Sequence, residues 1–258
     1  MSLAEQLRSA HAAIRLDAIH ALAAGADADP DELKALVYCL GDDAKAIQRP
    51  AAEALAALAA RGAAVRPLLV DKLTDTSPRQ RWGAAYALSL LAEPPYEALP
   101  VLLQSLGSDD GDERWAAARI LVRIDSQGSL VERLCDLAVT GNAPQRKMAC
   151  YCLRDLRISS QIVDAALGGA SRDSDSNVRK AALSALSLLA ANRAAAAHWI
   201  VERLSDDADM GVRRAAAVAL AILNERSELV INALGVATAS GDSSLQRAAQ
   251  RSLRLLET

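Results

Sequence analysis

The chain has 258 residues, with 29 basic against 32 acidic side chains and a net charge of −3. Alanine and leucine fill 95 of those positions, phenylalanine is absent, and only seven side chains are aromatic. That composition excludes a collagen-like, disulfide-framed or disordered chain and argues against a β-sandwich; the near-neutral charge excludes a histone-like nucleic-acid binder while leaving room for a local basic patch.

The opening segment, MSLAEQLRSA, is too charged and too short in its apolar run for a secretory signal. The longest uncharged stretches, such as 181–192, fall well short of the ~20 residues that span a bilayer. Four cysteines, Cys39, Cys135, Cys150 and Cys152, are scattered through apolar helical sequence. The expectation is a soluble, cytoplasmic protein with reduced thiols and no membrane segment.

Taken in chain order, the sequence repeats one pattern eight times. The first unit carries an aliphatic Leu3, a turn residue Ser9, then Arg15, Ala18 and Leu22. The second has Leu36, Asp42, Gln48, Ala51 and Leu55, and the third Leu69, Asp75, Arg81, Ala84 and Leu88. The fourth has Leu102, Ser108, Arg114, Ala117 and Leu121, and the fifth Leu134, Thr140, Arg146, Ala149 and Leu153. The sixth reads Leu167, Asp173, Arg179, Ala182, Leu186; the seventh Val201, Asp207, Arg213, Ala216, Leu220; the eighth Leu234, Ser240, Gln246, Ala249, Leu253. The terminal leucines are spaced 33, 33, 33, 32, 33, 34 and 33 residues apart.

This period describes two helices per unit. A first helix (A) carries the aliphatic residue, a cap-favouring Ser, Thr or Asp follows, and a second helix (B) carries Arg/Gln-x-x-Ala-x-x-x-Leu. A single pair cannot bury its apolar face, so neighbours must stack, and the alanine column lets their backbones approach closely. The expected architecture is all-α: a right-handed α-solenoid of about eight repeats forming one domain over residues 1–258. The polar Gln250 and Ser252 in the last B helix suit an array end. Gly168-Gly169 reads as a helix stop.

The segments Val178-Arg179-Lys180-Ala181-Ala182-Leu183-Ser184-Ala185-Leu186 and Val212-Arg213-Arg214-Ala215-Ala216-Ala217-Val218-Ala219-Leu220 closely resemble HEAT-like repeats of the phycobilisome-lyase type. The resemblance spans nearly the whole chain. It implies that the B-helix arginine pairs with an aspartate in a neighbouring turn, for which Asp42, Asp75, Asp173 and Asp207 could serve. It also implies that the B helices line a concave groove. The family ranges from pigment lyases to interaction scaffolds.

Numbering each B helix from its Arg or Gln as position 0, positions 3, 7 and 10 face the core and positions 1, 5 and 8 point nearly opposite. Position 1 holds Arg49, Trp82, Trp115, Lys147, Lys180, Arg214 and Arg247 after an initial Leu16. Positions 5 and 8 add Tyr86, Arg119, Tyr151 and Arg154. Trp82 and Trp115 hold equivalent places on successive B helices, implying a spacing of roughly 8–10 Å. Aromatic residues opposite the core, flanked by cations, suit an anionic or planar partner through stacking, cation–π contact and charge-assisted hydrogen bonds. The candidate groove is Trp82, Tyr86, Trp115, Arg119, Lys147, Tyr151 and Arg154, with Arg49, Lys180, Arg214 and Arg247 as the basic flank.

No His-Glu-x-x-His, Walker, EF-hand or Gly-x-Gly-x-x-Gly motif is present. The HEAT-like deoxyhypusine hydroxylases carry His-Glu metal motifs, whereas here the histidines precede Ala12, Ala21 and Trp199. Cys150 and Cys152 lie about 200° apart around one helix and cannot both ligate one metal. No catalytic residue, metal or cofactor is therefore expected. The leading reading is a non-enzymatic scaffold that binds a partner protein or peptide in the groove. The resemblance supplies a second, a phycobilin lyase-like or tetrapyrrole-chaperone role in which the aromatic centre holds a small planar anion. Nucleic-acid binding ranks third, disfavoured by the acidic balance.

Overall fold

The computed structural model describes residues 1–25, 27–125 and 128–257. All regular structure among them is helical, with no strand. The chain falls into two compact units, Met1–Ser105 and Leu106–Thr258.

The first unit holds α1 (Leu3–Leu7), α2 (Ala12–Ala23), α3 (Pro30–Tyr38), α4 (Lys45–Ala60), α5 (Val65–Lys72), α6 (Pro78–Leu88) and α7 (Leu99–Ser105). The second holds α8 (Gly111–Ile124), α9 (Val131–Thr140), α10 (Ala143–Leu156), α11 (Gln161–Ala170), α12 (Ser176–Leu189), α13 (Arg193–Asp206), α14 (Met210–Leu223), α15 (Glu228–Ala237) and α16 (Ser243–Glu257). Odd-numbered helices are the A elements and even-numbered ones the B elements. Within the first unit α2, α4 and α6 pack in succession; within the second α8, α10, α12, α14 and α16 do the same. The fold is thus an α-solenoid of two-helix repeats.

Short polar residues start most of these helices. Ser2, Asp29 and Asn142 form reciprocal capping boxes with Glu5, Glu32 and Gln145, and Asp175 and Asp209 cap α12 and α14. The packing follows the repeat columns. All eight alanines of the B-helix column are 0% exposed, and seven of the eight column leucines are buried, the exception being the half-buried Leu253 at the chain's end. Of the A-helix aliphatics, Leu3 and Val201 are half-buried, and Ala4 with Leu7, and Ile200 with Leu204, fill the core beside them.

Three of the six column arginines act between repeats, as the resemblance implied, while Arg81, Arg114 and Arg213 donate to carbonyls of their own repeat. Arg15 donates to its own turn at the Ser9 and Ala10 carbonyls (2.8 and 3.1 Å) and reaches the Asp42 carboxylate of the next turn at 2.8 Å. Arg146 bonds the Gly141 carbonyl and grips Asp173 with two donors at 2.6 and 2.7 Å. Arg179 bonds the Asp173 carbonyl and grips Asp207 at 2.8 and 2.7 Å. Each aspartate also accepts the N–H two residues on, from Ala44, Asp175 and Asp209 respectively. Burial disfavours the charged form of Asp173 and Asp207, but these donors outweigh it and hold both carboxyls below the usual carboxylate range. Asp75 departs from the pattern: the preceding repeat offers Gln48 in place of arginine, and Asp75 accepts instead from Lys72 at 3.3 Å and the Ser77 N–H at 2.9 Å.

Gly168 is not a stop signal. It lies inside α11, buried, where an added Cβ would sit 2.9–3.0 Å from three atoms of the Trp199 indole on α13. The glycine is the floor on which that ring rests.

Candidate functional site

The B helices set which side chains reach solvent. Position 5 is open or half-buried throughout, but position 8 is not the solvent flank the 100° projection suggests: Ser89 and Ser187 there are buried, each hydroxyl folded back onto a carbonyl of its own helix at 2.7 and 2.9 Å. Position 9 is exposed instead at Leu90, Arg123, Asp155, Leu188, Ile222 and Leu255. The solvent face is therefore centred on positions 1, 5 and 9, an i, i+4, i+8 line along each helix.

In the first unit, Trp82 and Tyr86, one helical turn apart on α6, bring their rings to 5.9 Å at an interplanar angle of 37°. Both are half-buried, and Arg49 on α4 is exposed.

The second unit contains the more developed cluster. Trp115 on α8 and Tyr151 on α10 stack with ring centroids 5.3 Å apart and planes 20° from parallel. The Arg154 guanidinium lies 4.8 Å from the Tyr151 ring centre and donates to Asp155 at 2.8 Å and to the Ser184 hydroxyl of α12 at 3.5 Å. Tyr151 is half-buried, while Trp115 keeps 47% of its surface open. Stacking and cation–π contact of this kind contribute about 1 kcal/mol each. Covering the remaining indole, on the order of 100 Å², would contribute about 2–3 kcal/mol. The larger gain is still unrealised in the isolated chain.

The side chains at positions 1, 5 and 8 here are one-sided in charge, while the capping Asp209 and Asp242 lie near Lys180 and Arg214 and offset part of that charge. Positions 1, 5 and 8 of α8 through α16 hold Arg119, Lys147, Arg154, Lys180, Arg214, Arg247, Arg251 and Arg254, and no carboxylate, in a chain that is acidic overall. Arg119, Arg214 and Arg247 are exposed, and Lys147 and Lys180 half-buried. Arg214 donates to the Ser244 hydroxyl on the neighbouring α16 at 3.2 Å, spreading the basic strip between helices. Asp155, at position 9, is engaged by Arg154. The sequence reading found these cations and aromatics but missed Leu188, Ile222 and Leu255, exposed by 62, 50 and 55%. Their signal was an apolar residue two places after the column leucine in three successive repeats.

The four thiols are buried packing groups. Burial pushes Cys39 and Cys135 up to about 11, and Cys150 and Cys152 up to about 12, so all four are neutral near pH 7. Among the described residues no group of three or more His, Cys, Asp or Glu is placed to hold a metal, and no helix is long and apolar enough to cross a membrane.

Comparison with known proteins agrees with this architecture. HEAT repeats match residues 51–123, 99–187 and 131–220. The chain is similar to the crystal structure of YibA from Escherichia coli, with a TM-score of 0.55 at 15% identity over 96% of this chain and 98% of that one. Human deoxyhypusine hydroxylase in complex with glycerol is a more distant likeness, with a TM-score of 0.43 and 19% identity over 99% of this chain and 94% of that one. No curated protein matches the sequence. The likeness to YibA speaks to the fold alone. With the repeat match running from 51 to 220, the chain belongs to the HEAT-repeat family.

Proposed function

We propose that this protein is a non-enzymatic scaffold acting in the cytoplasm, and that the B-helix face of its second unit holds a segment of a partner protein. The observation that carries this reading is the half-open Trp115, fixed by stacking on Tyr151 beside Arg154, in a basic strip free of carboxylates at positions 1, 5 and 8. Rigid aromatic anchors with arginine neighbours are what interface hot spots are made of, and solenoid repeats offer long faces for extended partners. Arg119 and Lys147 flank the anchor, and Lys180, Arg214 and Arg247 extend the strip. Trp82, Tyr86 and Arg49 supply a smaller patch of the same composition in the first unit. The reading calls for no cofactor and no catalytic residue.

The test is affinity capture from source lysate with wild type and the Trp115→Ala/Arg119→Ala/Arg154→Ala variant, each checked by circular dichroism. Eluates are read by mass spectrometry and by absorbance from 260 to 700 nm. A polypeptide retained by wild type and reduced at least tenfold by the variant is the expected result. Identical eluates from a folded variant would sink the proposal, a visible chromophore would replace it with the tetrapyrrole reading, and nucleic acid would replace it with the third.

A further inference from the structure

The second unit carries two parallel rows that the aromatic cluster does not explain. On α12, α14 and α16, successive neighbours in the stack, position 1 is Lys180, Arg214 and Arg247, and position 9 is Leu188, Ile222 and Leu255. Eight residues of helix separate the rows, about 12 Å along the axes. Each step across the helices adds roughly 8–10 Å. The aliphatic row is half or more exposed on every helix, and within the second unit it is confined to these three repeats, since position 9 of α8 and α10 is Arg123 and Asp155. Isolated exposed aliphatics need no explanation, but an aligned series beside an aligned series of cations is a patterned surface.

We infer that these rows bind an extended acidic–aliphatic peptide segment running across α12, α14 and α16, with carboxylates toward Lys180, Arg214 and Arg247 and aliphatic side chains toward Leu188, Ile222 and Leu255. This rests on the partner-binding reading above and states the chemistry of the partner. Side chains of an extended strand alternate to opposite sides, so a backbone lying between the rows sends one set to each. At about 3.3 Å per residue, five or six residues span the three helices. Positive charge selects acidic segments, and the aliphatic row distinguishes an acidic–apolar segment from a purely acidic one or from nucleic acid.

The experiment uses the full-length protein and fluorescein-labelled (Glu-Leu)4, (Glu-Ser)4 and (Lys-Leu)4 peptides with a 15-nucleotide single-stranded DNA, read by anisotropy. Wild type is expected to bind (Glu-Leu)4 at least tenfold more tightly than the other three. Leu188→Ser/Ile222→Ser, both at exposed sites, should bring (Glu-Leu)4 down to the (Glu-Ser)4 level, and Arg214→Glu/Arg247→Glu should turn the preference toward (Lys-Leu)4. Equal binding of (Glu-Leu)4 and (Glu-Ser)4, tighter binding of DNA, no binding of any probe, or an unchanged profile in the Leu188/Ile222 variant would overturn the inference. The broader reading fails separately, when lysate capture is unaltered by the Trp115 variant.

Discussion

At the level of single residues, the Arg–Asp bridges between successive turns show why a loop column can be as restrictive as a core column. Asp207 is nearly fully buried beneath Arg179, with side-chain exposures of 1 and 12%, whereas the Arg8–Asp31 bridge is open at 49 and 60%. Removing one partner of a buried pair strands the other, at about 3 kcal/mol. Asp207→Asn should therefore cost about that much in urea denaturation at pH 7, while Arg8→Ala should leave the midpoint almost unmoved. The pH dependence has a definite sign. Because the folded protein holds the Asp207 carboxyl below its usual range, its contribution is full above that range and drains away as pH falls through about 4 and lower. The gap between wild type and Asp207→Asn should close on acidification, and a gap that widened below pH 4 would contradict the assignment. These bridges were expected from the family resemblance, which the repeating arginine and aspartate positions carry. Asp75 was misread because its partner is set by the preceding repeat, which carries Gln48.

At the scale of helices, the alanine and leucine columns were legible because a helix dictates which of its own residues share a face. What could not be read were features decided by a neighbouring helix. Gly168 resembles a terminator locally, and only Trp199, 31 residues later, gives it its role. Position 8 looks solvent-facing on an isolated wheel, yet Ser89 and Ser187 there are buried. Gly168→Ala separates the two views of the glycine. As a free helical site it would gain about 1 kcal/mol from helix propensity. Against the Trp199 indole at 2.9–3.0 Å it should instead lose about 1–3 kcal/mol. In a Trp199→Leu background the loss should vanish, so a thermal-denaturation double-mutant cycle will show strong coupling. Additive effects would mean the ring does not rest on the glycine.

Across the whole molecule, the chain is a HEAT-repeat protein that places four of its seven aromatic residues and a row of cations on B-helix surfaces. The candidate site was legible to the extent that it breaks the repeat: tryptophan, tyrosine and arginine at positions where packing needs none of them. The aliphatic row stayed hidden because leucine and isoleucine two places after a core leucine look like more core until the neighbouring helices are in place. A partner held on this face should also be salt-sensitive, so raising sodium chloride from about 50 to 500 mM should weaken capture several-fold, since exposed charges are then largely screened. The most direct test of the central claim is site-specific photocrosslinking in source lysate, with benzophenone placed at Ser184 on the B-helix face or at the exposed Val236 on α15. The account predicts a discrete polypeptide adduct from Ser184 and none from Val236; an adduct from Val236 alone would place the working surface on the A helices and contradict it.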